Sequence, residues 1–238
     1  MSLKNQIVVV LGGSSGIGLA TAKAALEEGA QVVITGRSRD KLDAAKSQLG
    51  SEARAVALDA ADEAGTRALL EAMPHIDHVF ITAGSVTFGA GLAPETAKLR
   101  PAMETRFWGA LYAAKYAAPK MSAGGSITFM SGTSHLKPIA GASIGSASCA
   151  AVEAFARSLA IDLAPIRVNT IRPGFIDTPL IDGLLGEHRD AIVARESERL
   201  PVGRIGRADE VADAVLFLMK NGYVNGIVLT VDGGRLLT

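Results

Sequence analysis

Short apolar runs rich in valine and isoleucine recur along the chain, separated by longer stretches of alanine and leucine at helical spacing. A strand covered on both faces reads as a short continuous apolar run, whereas a helix packed on one side repeats its apolar positions with a period near 3.6. On that basis strands are predicted at 7–11, 31–35, 53–58, 78–82, 126–130, 167–171 and 226–231. Helices are predicted at 16–28, 39–49, 63–72, 102–121, 143–163 and 209–219, several of them closed by the glycine that a helix C-terminus favours. Alternation of strand and helix is the pattern of βαβ units, so the fold class is α/β: a doubly wound, Rossmann-type parallel sheet of about seven strands flanked by helices.

The pattern weakens over 177–206, which is charged, mixed and placed after a strand's carboxyl end, where open α/β sheets bind ligands. This stretch is either a flap over a substrate or a surface helical excursion with no part in the chemistry. Nothing resembles a linker, a low-complexity tract or a repeat beyond the βα alternation, so residues 1–238 are expected to form a single domain.

Composition narrows the partners. Lysine plus arginine and aspartate plus glutamate are equal at 24 each, which gives no bulk attraction to nucleic acid or to an anionic membrane and points to a small-molecule substrate. The single cysteine cannot form an internal disulfide, and the N-terminal apolar run stops at glycines, too short for a signal peptide or a membrane span. The expectation is a cytoplasmic protein that binds neither nucleic acid nor membrane, with no metal site.

The first candidate chemistry lies where the first strand ends, in "LGGSSGIGLA". Gly12, Gly16 and Gly18, with Ser14, Ser15 and Ile17 between them, lead from a strand into a helix. Glycine permits the tight turn and close backbone approach, and the helix N-terminus offers the N–H groups and dipole end that a pyrophosphate requires. The second strand ends "VVITGRSRDK", and at the position where a site selective for NAD usually offers a carboxylate to the ribose 2′-hydroxyl stands Arg37, with Arg39 close by. A guanidinium binds a 2′-phosphate instead, so the expected cofactor is NADP(H).

Taken together, "GGSSGIG", "LDAAD", "TAG", "VNTIRPGFIDTP" and "VDGG" resemble the short-chain dehydrogenase/reductase family, in order and over essentially the whole chain. The resemblance implies that Asp59, followed by Ala60, meets the adenine amine and that Ala83 and Gly84 line the adenosine ribose. It also implies that the segment Pro173, Gly174, Ile176 and Thr178 holds the nicotinamide and its neighbouring phosphate. Two departures stand out: Leu11 replaces the family's threonine before the glycine loop, and Ile81-Thr82 replaces a common Asn-Asn. The resemblance further implies a homo-oligomer, a tetramer paired through the helices at 102–121 and 143–163.

"IGSASCAAVEAFARSLA" aligns without gaps on the family's active-site helix, whose signature is Tyr-x-x-x-Lys. Gly145 then occupies the tyrosine position and Cys149 the lysine position. The family's serine falls on Gly132 and its asparagine on Arg106. By this resemblance all four catalytic positions are substituted, and with them go the general acid, the group that lowers its pKa and the hydroxyl that polarises the carbonyl. Another Tyr-x-x-x-Lys, Tyr116 to Lys120, fits the letters but ends the wrong helix and contains Pro119.

Arg106, Ser131, Thr133, Ser134, His135, Ser146 and Cys149 are expected to lie near the altered site. Arg106 is a candidate catalytic group as a fixed positive charge that binds a carboxylate or stabilises an oxyanion, unless it turns outward. His135 is a candidate proton donor if its loop folds inward. Two functions remain open: an NADP(H)-dependent oxidoreductase acting on a carbonyl or alcohol through a non-standard site, or a catalytically silent NADP(H)-binding protein serving as sensor or assembly subunit.

Overall fold

The computed structural model describes residues 2–84 and 94–238. Its elements run β1 (Ile7–Leu11), α1 (Gly16–Glu27), β2 (Gln31–Gly36), α2 (Arg39–Leu49), β3 (Ala53–Ala57), α3 (Glu63–Glu71), β4 (Ile76–Ile81) and α4 (Thr96–Met103). After a π-type segment at Glu104–Trp108 come α5 (Gly109–Ala117), β5 (Met121–Met130), α6 (Ser143–Asp162), β6 (Arg167–Pro173) and β7 (Ile176–Asp177). The chain closes with α7 (Pro179–Leu185), α8 (Arg189–Arg199), β8 (Gly206–Arg207), α9 (Ala208–Lys220) and β9 (Val228–Val231).

Seven strands form one sheet in the order β3-β2-β1-β4-β5-β6-β9, every neighbouring pair parallel. Successive side chains on a strand point to opposite faces, so the valine run of β1 feeds two cores at once. Val9 and Leu11 pack with alanines of α5 and with Val152 and Ala156 of α6, while Val8 and Val10 pack with α1, α2 and the apolar side of α9. This covering of both faces is the physical reason the strands read as unbroken apolar runs.

β1 pairs with β2 on one side and β4 on the other, so the chain reverses its winding direction there and opens a crevice beyond the carboxyl ends of β1 and β4. Thr82 and Ala83 both donate backbone N–H groups to the Leu11 carbonyl, at 2.9 and 3.0 Å, which fastens the rims of that crevice.

One expectation needs correction. The helix expected over 102–121 begins earlier, at Thr96, carries Pro101 inside it, and widens to the π-type turn at Glu104–Trp108 before resuming as α5. Pro101, the sixth residue of α4, has no N–H to give to the carbonyl four residues earlier, and the regular α-helix ends two residues later at Met103. The irregular stretch 177–206 holds two helices, α7 and α8, and its ends are pinned by the parallel pairing of β7 with β8.

Candidate active site

The crevice continues as a groove of about 500 Å³ along the carboxyl ends of the strands, and most of the expected cofactor residues meet there. The glycine loop forms its floor. A Cβ at Gly12 would stand 2.7 Å from the Ala83 nitrogen, and one at Gly18 would stand 2.2 Å from the Gly12 carbonyl oxygen, so both positions exclude any side chain. Ser15 precedes α1 without a side-chain cap, and the first turn of α1 holds no acidic residue. The first N–H groups of a helix have no partner within it, and here they are left for an anion.

Arg37, exposed at the end of β2, lines the groove, as do Ser14, Ser15, Gly16, Ile17, Asp59, Ala60, Ala83, Gly84 and Thr178. Gly18, Arg39, Pro173, Gly174 and Ile176 do not. Gly18 packs beneath Gly12, Gly174 packs on Asp232 and Ile176 is buried, so these three shape the wall from behind. The second cation on the groove is Lys41, whose backbone N–H bonds the Ser38 side chain that caps α2. Sequence inspection favoured Arg39 for its nearness to Arg37, but the helix places Lys41, in its first turn, on the groove side. The departure at Thr82 also has a function: its hydroxyl bonds the Gly12 carbonyl at 3.3 Å.

The opposite end of the groove is lined by Thr105, Met130 and the α7 residues Leu180, Gly183 and Leu184. No residue of α7 or α8 is buried, and this helical pair is clasped by Arg189, which bonds Asp177, Asp182 and Asp190. The helix was legible as Thr178-Pro179, since proline is favoured at the first position of a helix.

Gly132 and Cys149 lie side by side, with Gly145 one turn earlier on α6. Gly132 stands two residues after β5, and a Cβ built on it meets only Cys149 Sγ, at an ordinary 3.6 Å. Gly145, one turn before the buried Cys149 on the same face of α6, has nothing within 4 Å of its Cβ direction. None of the chain's three tyrosines lines the groove: Tyr116 donates to Glu63 at 2.7 Å, Tyr112 stacks on Trp108, and Tyr223 is fully exposed.

Three of the hydroxyls expected near that site are committed to other partners. Ser131 Oγ donates to Glu153 at 2.6 Å, Ser146 Oγ donates to the Ser134 carbonyl at 3.1 Å, and Thr133 Oγ1 accepts from Arg235 at 3.1 Å. Glu153 is the hub that sequence reading missed; it lies four residues after Cys149, on the same face of α6. Burial by itself would raise its carboxyl, but Arg172, Ser131 and His135 together hold it below the ordinary range. Arg172 grips it through Nε at 2.8 Å and Nη2 at 2.5 Å.

His135 Nδ1 faces the Gly132 carbonyl at 3.0 Å and its Nε2 faces Glu153 at 3.3 Å. The loop does fold inward, but both ring nitrogens are engaged there. Arg106, in the π-type segment, is 7% exposed and bonds only the Met130 carbonyl, at 3.2 Å, among the described residues. Insertion of a residue into a helix re-aims the side chains it carries, and such turns recur at functional sites.

The family profile described as Enoyl-(Acyl carrier protein) reductase matches residues 12–235. The chain is 34% identical to the short-chain dehydrogenase/reductase ucsE of Acremonium sp over 99% of its own length and 97% of that protein's. It is 35% identical to the cis-4-hydroxycyclohexanecarboxylate dehydrogenase of Sinomonas cyclohexanicum over 96% of both chains. Its fold matches the crystal structure of a small-chain dehydrogenase in complex with NADPH, with a TM-score of 0.86, 38% identity, and 99% and 100% of the two chains covered.

Proposed function

The chain belongs to the short-chain dehydrogenase/reductase family, and from that premise we propose that it is an NADP(H)-dependent oxidoreductase acting on a carbonyl or alcohol without the family's tyrosine acid. The observation that carries the cofactor is a single groove joining the uncapped N-terminus of α1 to Arg37 and Lys41. The α1 amides hold the pyrophosphate, Asp59 meets the adenine, and the two cations meet the 2′-phosphate. The chemistry supplied by the nicotinamide, when bound, is hydride transfer.

Around the reacting end, Gly145 and Gly132 leave space where an acid and a polarising hydroxyl are usual. Of the two candidate replacements, Arg106 keeps N–H donors in reserve, whereas His135 spends both nitrogens on Gly132 and Glu153. Arg106 therefore carries the electrostatic part of the reaction, and α7 roofs the site as a substrate flap. Titration with NADPH and NADH, followed by reduction and oxidation assays over a broad panel of carbonyls and alcohols, tests the reading. Tighter NADPH binding with turnover lost in Arg106→Ala and kept in Cys149→Ala supports it. Equal affinity for the two cofactors overturns the cofactor assignment.

The absence of any tyrosine from the groove favours a second reading, a catalytically silent NADP(H)-binding protein. Tight NADPH binding with no turnover anywhere on the panel would select it.

A further inference from the structure

Three arginines are buried among the described residues, and they differ in how their charge is met. Arg167 donates to the carbonyls of Leu218, Met219 and Val224, the first two at the negative end of α9. Arg235 bonds Thr133 and lies 3.9 Å from Glu196. The Nε of each is buried without a partner among the described residues, but Arg106 differs in having a single acceptor, the Met130 carbonyl, and no carboxylate or second acceptor among them. Residues 85–93, "SVTFGAGLA", contain no acidic side chain that could pair with it. A buried charge left uncompensated is costly, so the site is complete only when an anion arrives.

Position and shape define that anion. The guanidinium lies against Gly84 and Met130, both lining the groove. A Cβ on Gly84 would stand 3.0 Å from Nη2 and 3.2 Å from Cζ, so glycine is what lets the groove wall come this close to the charge. Met130 ends β5, three strand spacings from β2, which Arg37 follows, roughly 14 Å at the usual spacing of parallel neighbours. The cofactor's phosphates are therefore accounted for elsewhere, at α1 and at Arg37. Nη1 is spent on Met130, which leaves Nη2, packed against Gly84 at the groove wall, as a charge-assisted donor to a carboxylate oxygen.

We propose that Arg106 receives a carboxylate carried by the substrate, so that the reacting molecule is a hydroxy acid or its oxo acid rather than an uncharged alcohol or ketone. This rests on the reading of the groove as an NADP(H) site. The test uses protein saturated with NADP+, so that oxo compounds bind without turnover. Calorimetry compares 2-oxobutanoate and 4-oxopentanoate, each against its own methyl ester.

In the wild type at least one acid binds about tenfold or more tightly than its ester, the preference expected of a charge-assisted pair. Arg106→Gln brings that ratio to about one while NADP+ affinity stays unchanged, and Arg106→Lys keeps part of it. Acids and esters that bind alike to the NADP+-loaded wild type overturn the proposal and leave the cofactor reading standing, and this comparison needs no folded variant. A preference that survives Arg106→Gln also overturns it. A wild-type protein that binds no NADP+ overturns the cofactor reading and this inference together.

Discussion

Gly145 and Gly132 leave room, whereas Gly12 and Gly18 are enforced by contact. Nothing lies within 4 Å of the Cβ direction of Gly145, and Gly132 would meet only Cys149. The double variant Gly132→Ser with Gly145→Tyr is therefore expected to fold, with a thermal midpoint within a few degrees of wild type by calorimetry. Adding Arg106→Asn and Cys149→Lys rebuilds the family's usual set, and reduction of simple ketones should rise by on the order of 10²–10⁴, the ordinary contribution of general acid catalysis. A second prediction concerns cofactor choice. Arg37→Ala should weaken NADPH about tenfold or more and leave NADH unchanged, since charge-assisted bonds to phosphate are worth roughly 1.5–3 kcal/mol. Lys41→Ala should act in the same direction and Arg39→Ala should not, because Lys41 lines the groove and Arg39 does not. Equilibrium titration of the three variants checks the order.

At the scale of elements, β5, α6 and β6 are tied behind the site by Glu153, which accepts from Ser131 and Arg172 and faces His135. Glu153→Ala leaves the partly buried Arg172 guanidinium without its carboxylate and should destabilise the protein by about 3 kcal/mol in denaturant unfolding. Ser131→Ala removes a single bond to the same carboxylate and should cost less, about 1.5–3 kcal/mol. The pair α7 and α8 presents the opposite case. These helices bury no residue and are clasped at the surface by Arg189. Arg189→Ala should leave the global unfolding midpoint nearly unchanged, yet hydrogen exchange across 179–199 should accelerate, since local opening depends on few buried contacts.

For the whole molecule, a buried histidine at the far end of the sheet sets part of the pH dependence. His78 on β4 bonds Ser126 and Gln6, and burial first, then the nearby Arg167, lowers its pKa to about 4. The imidazole is neutral in the folded chain but takes up a proton near pH 6.5 once unfolded. Its contribution is thus fully present above about pH 6.5 and is lost as pH falls toward 4, to an extent of about 3 kcal/mol. Urea unfolding at stepped pH should show this slope, and His78→Gln should flatten it. Self-association belongs to the same scale. Trp108, just before α5, and Ile161 on α6 are 42% and 79% exposed, and a homo-oligomer built across those helices would cover them. Light scattering at micromolar concentration should give a multiple of the chain mass, a tetramer on the family's pattern.

The sequence alone determined the seven parallel strands, because strands covered on both faces must be apolar at every position, and the valine run of β1 carries that requirement in its letters. It also determined the phosphate end of the groove, since contact with neighbouring backbone leaves only glycine possible at Gly12 and Gly18. The pairing of charges was decided only in three dimensions. Glu153 reads as one more polar residue in an alanine-rich helix until β5 and β6 bring Ser131 and Arg172 to it across 22 and 19 residues of chain. Arg39 and Lys41 differ in letter position by two, but the helical turn sends one away from the groove and the other onto it. Arg106 could have faced water or protein on sequence grounds; the π-type turn sets it behind Gly84, with one edge of its guanidinium unmatched by any described residue. Local periodicity is encoded residue by residue, whereas the compensation of a buried charge depends on groups distant in the chain, which only the folded sheet brings together.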